Sequence, residues 1–553
     1  MTFLLHPLRL PPVRTLLRAA LLACVSCSLI FAAPGSEKLA PELRPENPRS
    51  TVDVIIQYRV VPVSAHHQRV NQLGGRLRHE FQSIRGAHYT VPASSLADLA
   101  NDPDVIYISP DRAVQGLLNY TAVAVRADVA HSSGYTGEGV TVAVIDSGIA
   151  DIPDFHGGGN HLVYQESFIG GTAADQYGHG THVAGILAAS GANGYSLYQG
   201  IAPGVDIVNL RVLDKNGSGT DSAVIAAINR AIQLRSQYNI RVINLSLGRP
   251  VTVSYQQDPL CQAVEAAWNA GIVVVAAAGN DGRNNTLGTN GYSTISVPGN
   301  DPSVITVGAM KTMGTYSTSD DQIASYSSKG PTLLDHVVKP DIMAPGNHVV
   351  SVLPAGLTLS QLYPTNSYPG GHFQLSGTSM ATPVVSAAAA LLLAQQPSLS
   401  PDQVKAMLMK GASKNLPSSS SVYDPVTGKT YTSYNDIFTV GAGYLDIIGT
   451  LWGGFYAQGS ARSPTATWDS VAKRVTLTGV SGTNVVWGNT SDWSPAAVWG
   501  ANAVSGVNVV WGNNVVWGSG TVSGFNVVWG QHVVWGQSGA VADAAKMLTG
   551  GEN

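Results

Sequence analysis

Charge is scarce in this chain. Only 12% of its 553 residues are Asp, Glu, Lys or Arg, against 44% hydrophobic residues, and the formal net charge is −4. There is no long basic or acidic block, so the electrostatic footprint of a nucleic-acid binder is missing. Cysteine is scarcer still, with Cys24, Cys27 and Cys261 as the full set. The first two fall in an N-terminal apolar stretch. A mature chain without that stretch keeps one thiol and forms no intrachain disulfide. Cys261 precedes the helical-looking Gln262–Ala270 and reads as a small buried residue. Ala19–Ala33 is an uninterrupted apolar and small-residue run, yet short for a membrane span. Arg9, Arg14 and Arg18 precede it, and polar sequence begins at Ser36. Residues 1–35 therefore read as a secretory signal. The expected location is secreted and extracellular, with the periplasm or a cell surface as alternatives, and with no membrane span after signal removal.

What is present is apolar material and glycine, 60 residues of the latter. Residues 51–116 read as a small α+β unit. Its strands are expected at Val52–Arg59, Ala87–Val91 and Val105–Ile108, and its helices at Ala65–Leu73 and Leu96–Asn101. Residues 120–450 form the main domain. Near-continuous apolar runs at Val140–Ile145, Ile207–Val212, Val242–Leu245, Ile272–Ala278 and Val304–Val307 alternate with helical stretches such as Ala223–Arg235. Continuous apolar strands are buried on both faces, and strand–helix alternation predicts a parallel sheet between helices. Residues 452–553 differ again. Asp492 is the one charged residue from Val475 to Gly536, and Asn-Val-Val-Trp-Gly recurs at 484–488, 508–512, 514–518 and 526–530. The even Trp spacing keeps every ring on one face of a strand, which predicts a repeated all-β tail, either a hairpin meander or a small solenoid.

Chemistry concentrates in four short motifs. Val-Ile-Asp-Ser-Gly at 144–148 ends a buried strand in Asp146. A carboxylate there is placed to hold an imidazole N–H and fix its tautomer. Gly-His-Gly-Thr-His-Val-Ala-Gly at 178–185 puts His179 just before a helix expected from Thr181, with glycines that allow close packing. His182 lies three residues on with no Glu between, which departs from the zinc pattern of two His at i and i+4; it reads as structural. Ser-Gly-Thr-Ser-Met-Ala-Thr-Pro at 376–383 puts Ser379 at the start of an Ala-rich buried helix. Amide N–H groups and the helix dipole favour an oxyanion there. Ala381 stands where the hydrolase elbow Gly-x-Ser-x-Gly requires glycine. Asn280 follows the strand Ile272–Ala278 and is placed to donate to that oxyanion.

In this order, VIDSG, GHGTHVAG, AAAGN and GTSMATP closely resemble the motifs of the subtilisin-like serine protease family, over roughly residues 120–450. The resemblance implies an α/β fold with a mostly parallel, about seven-stranded sheet between helices. A small α+β ferredoxin-like prodomain precedes it here and the Trp-repeat tail follows. The resemblance further implies a serine endopeptidase with Asp146 orienting the imidazole, His179 as general base then acid, and Ser379 as nucleophile. Asn280 and the Ser379 backbone N–H would form the oxyanion hole. By similarity, Gly217, Ser218 and Gly219, and Ser246, Leu247 and Gly248, lie in strands that pair with an extended peptide. Asp281 matches a rim position of the pocket for the residue before the scissile bond, and a solvated turn residue is the alternative. The 51–116 unit resembles the family's inhibitor prodomain, an intramolecular partner removed by self-cleavage, expected here between about Asp111 and Tyr120. Protein or peptide substrates are implied, with no cofactor required for the chemistry. Residues near Asp154 and 193–199 resemble a structural calcium loop but lack its carboxylates. Two further readings are a catalytically dead scaffold and a surface-binding protein acting through the Trp repeats.

Overall fold

The computed structural model describes residues 38–40, 43, 50–82, 84–111, 117–156, 160–192, 198–286, 288–424, 427–454, 457–469, 474–478, 485–487 and 548–552. The expected signal and the repeats beyond Trp487 lie outside the described residues. Contacts divide the chain into two units, Met1–Val114 and Gln115–Asn553.

In the first unit, β1 (Thr51–Tyr58), α1 (Ser64–Gln72), β2 (Arg76–Phe81), β3 (Gly86–Pro92), α2 (Leu96–Ala100) and β4 (Val105–Pro110) follow one another. The sheet order is β2-β3-β1-β4 and every pairing is antiparallel. This is the βαββαβ ferredoxin-like arrangement. Alternate residues of β1, Val54 and Ile56, join Tyr89, Val91, Leu99 and Ile108 in the core. The sequence pattern did not mark β2, because Arg-Leu-Arg-His-Glu-Phe buries no side chain fully. Charged side chains of this kind protect an exposed sheet edge.

The second unit is built on β5 (Thr141–Asp146), β6 (Leu162–Ser167), α3 (His179–Ala188), β7 (Asp206–Arg211), α4 (Asp221–Tyr238), β8 (Ile240–Leu245), α5 (Pro259–Asn269), β9 (Val273–Ala277), β10 (Ile305–Lys311), β11 (Gln322–Ile323), β12 (Ile342–Pro345), α6 (Thr378–Gln395) and α7 (Pro401–Gly411). Its eight-stranded sheet runs β11-β10-β9-β8-β5-β7-β6, with β12 also paired to β10. Seven strands are parallel, and the two-residue β11 is antiparallel. All of β5, β9 and β10 is buried, which is why these strands read as unbroken apolar runs. Helices α4 and α5 pack together on one side, and α3 and α6 on the other. Helix α6 has the length and apolarity of a membrane span, but 83% of it is buried inside the unit. It is a core helix.

From β5 the chain runs to β6 on one side, and from β8 it runs to β9 on the other. The switch point therefore lies between β5 and β8. In open parallel sheets such a point, outside the carboxyl ends of the strands, is where ligands bind.

The composition break expected at 450–452 is crossed by main-chain bonds. Val338 N donates to Pro464 O at 2.8 Å and Ala466 N donates to His336 O at 2.8 Å. Lys405 Nζ donates to Ser463 Oγ at 2.8 Å and pairs with Asp341 at 3.2 Å, and all three side chains are buried. Beyond this stitch, β13 (Ala457–Gly459) pairs with β16 (Val485–Trp487), and β14 (Thr465–Asp469) pairs with β15 (Arg474–Thr478), both antiparallel.

Candidate active site

Adjacent strands end in a row. Val144 of β5 is in register with Asn244 of β8, and Leu245 with Ala276 of β9. The residues that follow are Asp146, Ser246 and Asn280. The parallel sheet thus aligns residues distant in sequence at one edge.

Asp146 is fully buried at the end of β5. Its Oδ1 accepts from His179 Nδ1 at 2.8 Å and from Ser147 N at 2.7 Å. His179 is the first residue of α3, two residues before the expected start. Gly180 lets α3 approach this turn, since a Cβ there would lie 2.2 Å from Gly148 O and 3.1 Å from Asp146 Cβ. Burial disfavours the imidazolium of His179. The charge and hydrogen bond of Asp146, with the charge of Asp175, outweigh it and raise the His179 pKa above its ordinary value.

The sequence reading overlooked Asp175. Its buried carboxylate accepts five hydrogen bonds, from Ser147 Oγ, Tyr177 N, Gly178 N, Thr181 N and Thr181 Oγ1, between 2.6 and 3.0 Å. Ser147 Oγ in turn accepts from Gly180 N at 2.9 Å. These bonds clamp the loop that carries His179. The signal was an Asp four residues before the histidine, and the pattern alone did not say where its side chain points. His182 is a core residue. Its Nε2 donates to Phe373 O at 2.9 Å, and burial pushes its pKa down to about 3.

Ser379 is the second residue of α6. Its Oγ donates to Ser246 O at 3.0 Å, and Ser246 Oγ donates back to Ser379 O at 2.8 Å. Buried Asn244 and Ser386 extend this chain. Ser386 Oγ donates to Asn244 Oδ1 at 2.8 Å, and Asn244 Nδ2 donates to Ser246 Oγ at 3.0 Å. Asn280 is oriented by Thr378, whose N and Oγ1 donate to Asn280 Oδ1 at 2.9 and 3.1 Å. Both partners being donors, the oxygen faces Thr378 and the Nδ2 hydrogens point elsewhere.

The two segments expected as peptide-pairing strands are not strands here. Gly217, Ser218 and Gly219 form a turn closed by Asp214, whose Oδ1 accepts from Asn216 N and Ser218 N at 2.8 and 3.0 Å. The Tyr177 ring packs on Gly217, which brings this turn to the His179 loop. Ser246, Leu247 and Gly248 continue β8 without a ladder partner until Arg249, which bridges to Val297. A strand needs a neighbour, and among the described residues these two segments have none. Asp281 is exposed, and partial desolvation raises its pKa. Among the described residues no group of three or more His, Cys, Asp or Glu gathers to hold a metal. Asp154 O accepts from Ser190 N at 3.0 Å beside the expected calcium loop, and residues 193–197 of that loop lie outside the described residues. The free Cys261 is buried and donates to Asn300 Oδ1 at 3.3 Å.

Comparison with known proteins gives the same reading of the region. The model of the Peptidase_S8 subtilase family matches residues 137–441, more than half of the chain. The chain is 38% identical over 351 residues to serine protease AprX of Bacillus subtilis, covering 61% of this chain and 76% of that protein. It is 36% identical over 341 residues to subtilisin E of Bacillus subtilis, covering 61% and 77%. It is 36% identical over 353 residues to an extracellular serine proteinase of Thermus sp., covering 62% and 74%. The matched span contains every residue of the strand-end row, and the chain belongs to the subtilase family of serine endopeptidases.

Proposed function

We propose that this endopeptidase is secreted, is made as a self-processed zymogen, and cleaves proteins through an acyl-enzyme formed on Ser379. The observation that carries the reading is the 2.8 Å bond from His179 Nδ1 to Asp146, beside a serine tied to the adjacent strand end. With Nδ1 protonated by that bond, Nε2 carries the lone pair and serves as base. Ser379 Oγ leaves Ser246 O, gives its proton to Nε2 and attacks the scissile carbonyl. Such catalytic bonds are often loose before substrate binds. The oxyanion is received by Asn280 Nδ2 and the Ser379 N–H, at the positive end of α6. His179 then protonates the leaving amine, and water hydrolyses the acyl-enzyme by the same route in reverse. No cofactor enters these steps.

The turn at Gly217–Gly219 and the segment Ser246–Gly248 would take an extended substrate between them, which completes the ladders they lack. Backbone pairing of this kind binds many sequences. The unit at 51–116 would be the inhibitor prodomain, and residues 1–35 the secretory signal.

The test is casein hydrolysis by the purified chain, with and without a serine-directed phosphonyl reagent, beside Ser379→Ala. Hydrolysis should be abolished by both, and Ser379→Ala should accumulate uncut precursor. An inert wild type that never labels at Ser379 would overturn the reading. A cut precursor in the Ser379→Ala chain would remove self-processing from it.

A further inference from the structure

Glu552 is a carboxylate with no exposed side-chain surface. Its Oε1 accepts from Arg283 Nη2 at 2.7 Å, from Tyr326 N at 3.2 Å and from Ser325 Oγ. Its Oε2 accepts from Ser325 N at 3.2 Å and lies 3.5 Å from Lys311 Nζ. Lys311 is 2% exposed, and Arg283 also meets Asp424 at 3.2 Å. A buried lysine and a partly exposed arginine, 2% and 16% exposed, therefore face one carboxylate that comes from far along the chain. Removing the carboxylate costs most at Lys311, whose charge lies away from water, while Arg283 keeps Asp424.

The main chain around Glu552 is held as closely. Glu552 N donates to Asn347 Oδ1 at 2.8 Å, and Asn347 Nδ2 returns a bond to Glu552 O at 2.7 Å. Ser376 N donates to Leu548 O at 2.6 Å. His348 Nε2 bonds Gly550 O at 3.0 Å, and Asn366 Nδ2 donates to Thr549 O. Gly551 has φ +62°, and a Cβ there would lie 2.3 Å from His348, so the position requires glycine. The partners lie under the nucleophile's turn, where Gly377 N donates to Gly346 O at 2.7 Å.

We propose that Leu548–Glu552 is a clasp, a Gly-Gly-Glu segment bound in a built carboxylate site formed by Arg283, Lys311, Ser325 and Asn347. Residues 461–466 are stitched to the same unit at the other side of the Trp repeats. The described segments on either side of the repeats, 461–466 and 548–552, are thus both held by the second unit, and the clasp stays bound when the chain between them is cut. Backbone contacts supply affinity, and buried Lys311 with Arg283 favours the glutamate.

The test uses the full chain carrying Ser379→Ala, so it is independent of proteolysis by the chain itself. A recognition site for an unrelated sequence-specific protease is placed between Gly536 and Ala540. After cutting, the C-terminal piece should co-elute with the rest on gel filtration at micromolar concentration. A synthetic peptide of residues 546–553 should displace it, and the same peptide with Glu552→Gln should do so at least ~10-fold less well, as expected when a buried cation loses its charged partner. Because both peptides meet the same protein, no folding defect enters the comparison. Loss of the piece on cutting, or equal competition by the two peptides, would overturn the clasp.

Discussion

Asp146 and His179 are joined as an acid and a base, whereas Ser379 is held by a main-chain carbonyl and Asn280 by the amide and hydroxyl of Thr378. The histidine half rests on charge. Two buried carboxylates, Asp146 and Asp175, set the imidazole and raise its pKa. The serine half rests on neutral hydrogen bonds, from Ser379 to Ser246 and from Thr378 to Asn280. Under the proposed mechanism the difference follows from the task. A base must change charge in each cycle and needs a fixed counter-charge. A nucleophile and an oxyanion donor need position in a site that stays neutral until the transition state.

Substitutions in each half sharpen this contrast. Asp146→Ala should lower kcat by about 10⁴-fold, a loss of the size measured on subtilisin itself. Asn280→Ala should lower kcat by about 10²–10³-fold with little change in KM, again the scale known from subtilisin. Asp175→Ala removes the acceptor of five bonds but no reacting group. Its kcat should fall about 10²-fold, as expected for a misplaced catalytic side chain. Thr378→Val removes one donor to Asn280 and should cost about tenfold in kcat, the worth of roughly one hydrogen bond. Steady-state kinetics on a peptide anilide checks all four. If Thr378→Val proves as damaging as Asp175→Ala, the contrast between the halves fails.

The pH profile probes the same contrast without a large loss of rate. The raised pKa of His179 means that kcat/KM should fall, as pH drops, from a point above the ordinary histidine value near 6.5. Asp175→Asn removes a charge that raises this pKa and should move the acid limb downward, while Thr378→Val should leave it in place. Stability has two opposed histidine contributions. The raised His179 pKa stabilises the fold below the unfolded value, and this is lost as pH rises through the folded one. The depressed pKa of His182, about 3 against 6.5, stabilises above the unfolded value, and this is lost as pH falls from about 6.5 toward 3. In a Ser379→Ala background, His182→Gln should flatten the decline of Tm between pH 6 and pH 4.

Strands buried on both faces are legible as unbroken apolar runs, which mark β5, β7, β8, β9 and β10. Strand β6, Leu-Val-Tyr-Gln-Glu-Ser, lies at the end of the sheet with one residue fully buried, and its mixed pattern hid it. For the same reason β2 was missed in the first unit. Glycine-bounded motifs marked Asp146, His179, Asn280 and Ser379 because local turns need those glycines. Gly217–Gly219 and Ser246–Gly248 are not strands because no neighbouring strand pairs with them among the described residues.

The sequence by itself determined which residue types stand at the ends of buried strands and at the starts of helices, since both depend on neighbours within a few positions. Only the tertiary structure decided how Asp175 points, that Ser246 answers Ser379 across the switch point, and that Glu552 is buried between Arg283 and Lys311. Those outcomes depend on desolvation and on partners far away in sequence, and no local pattern encodes them.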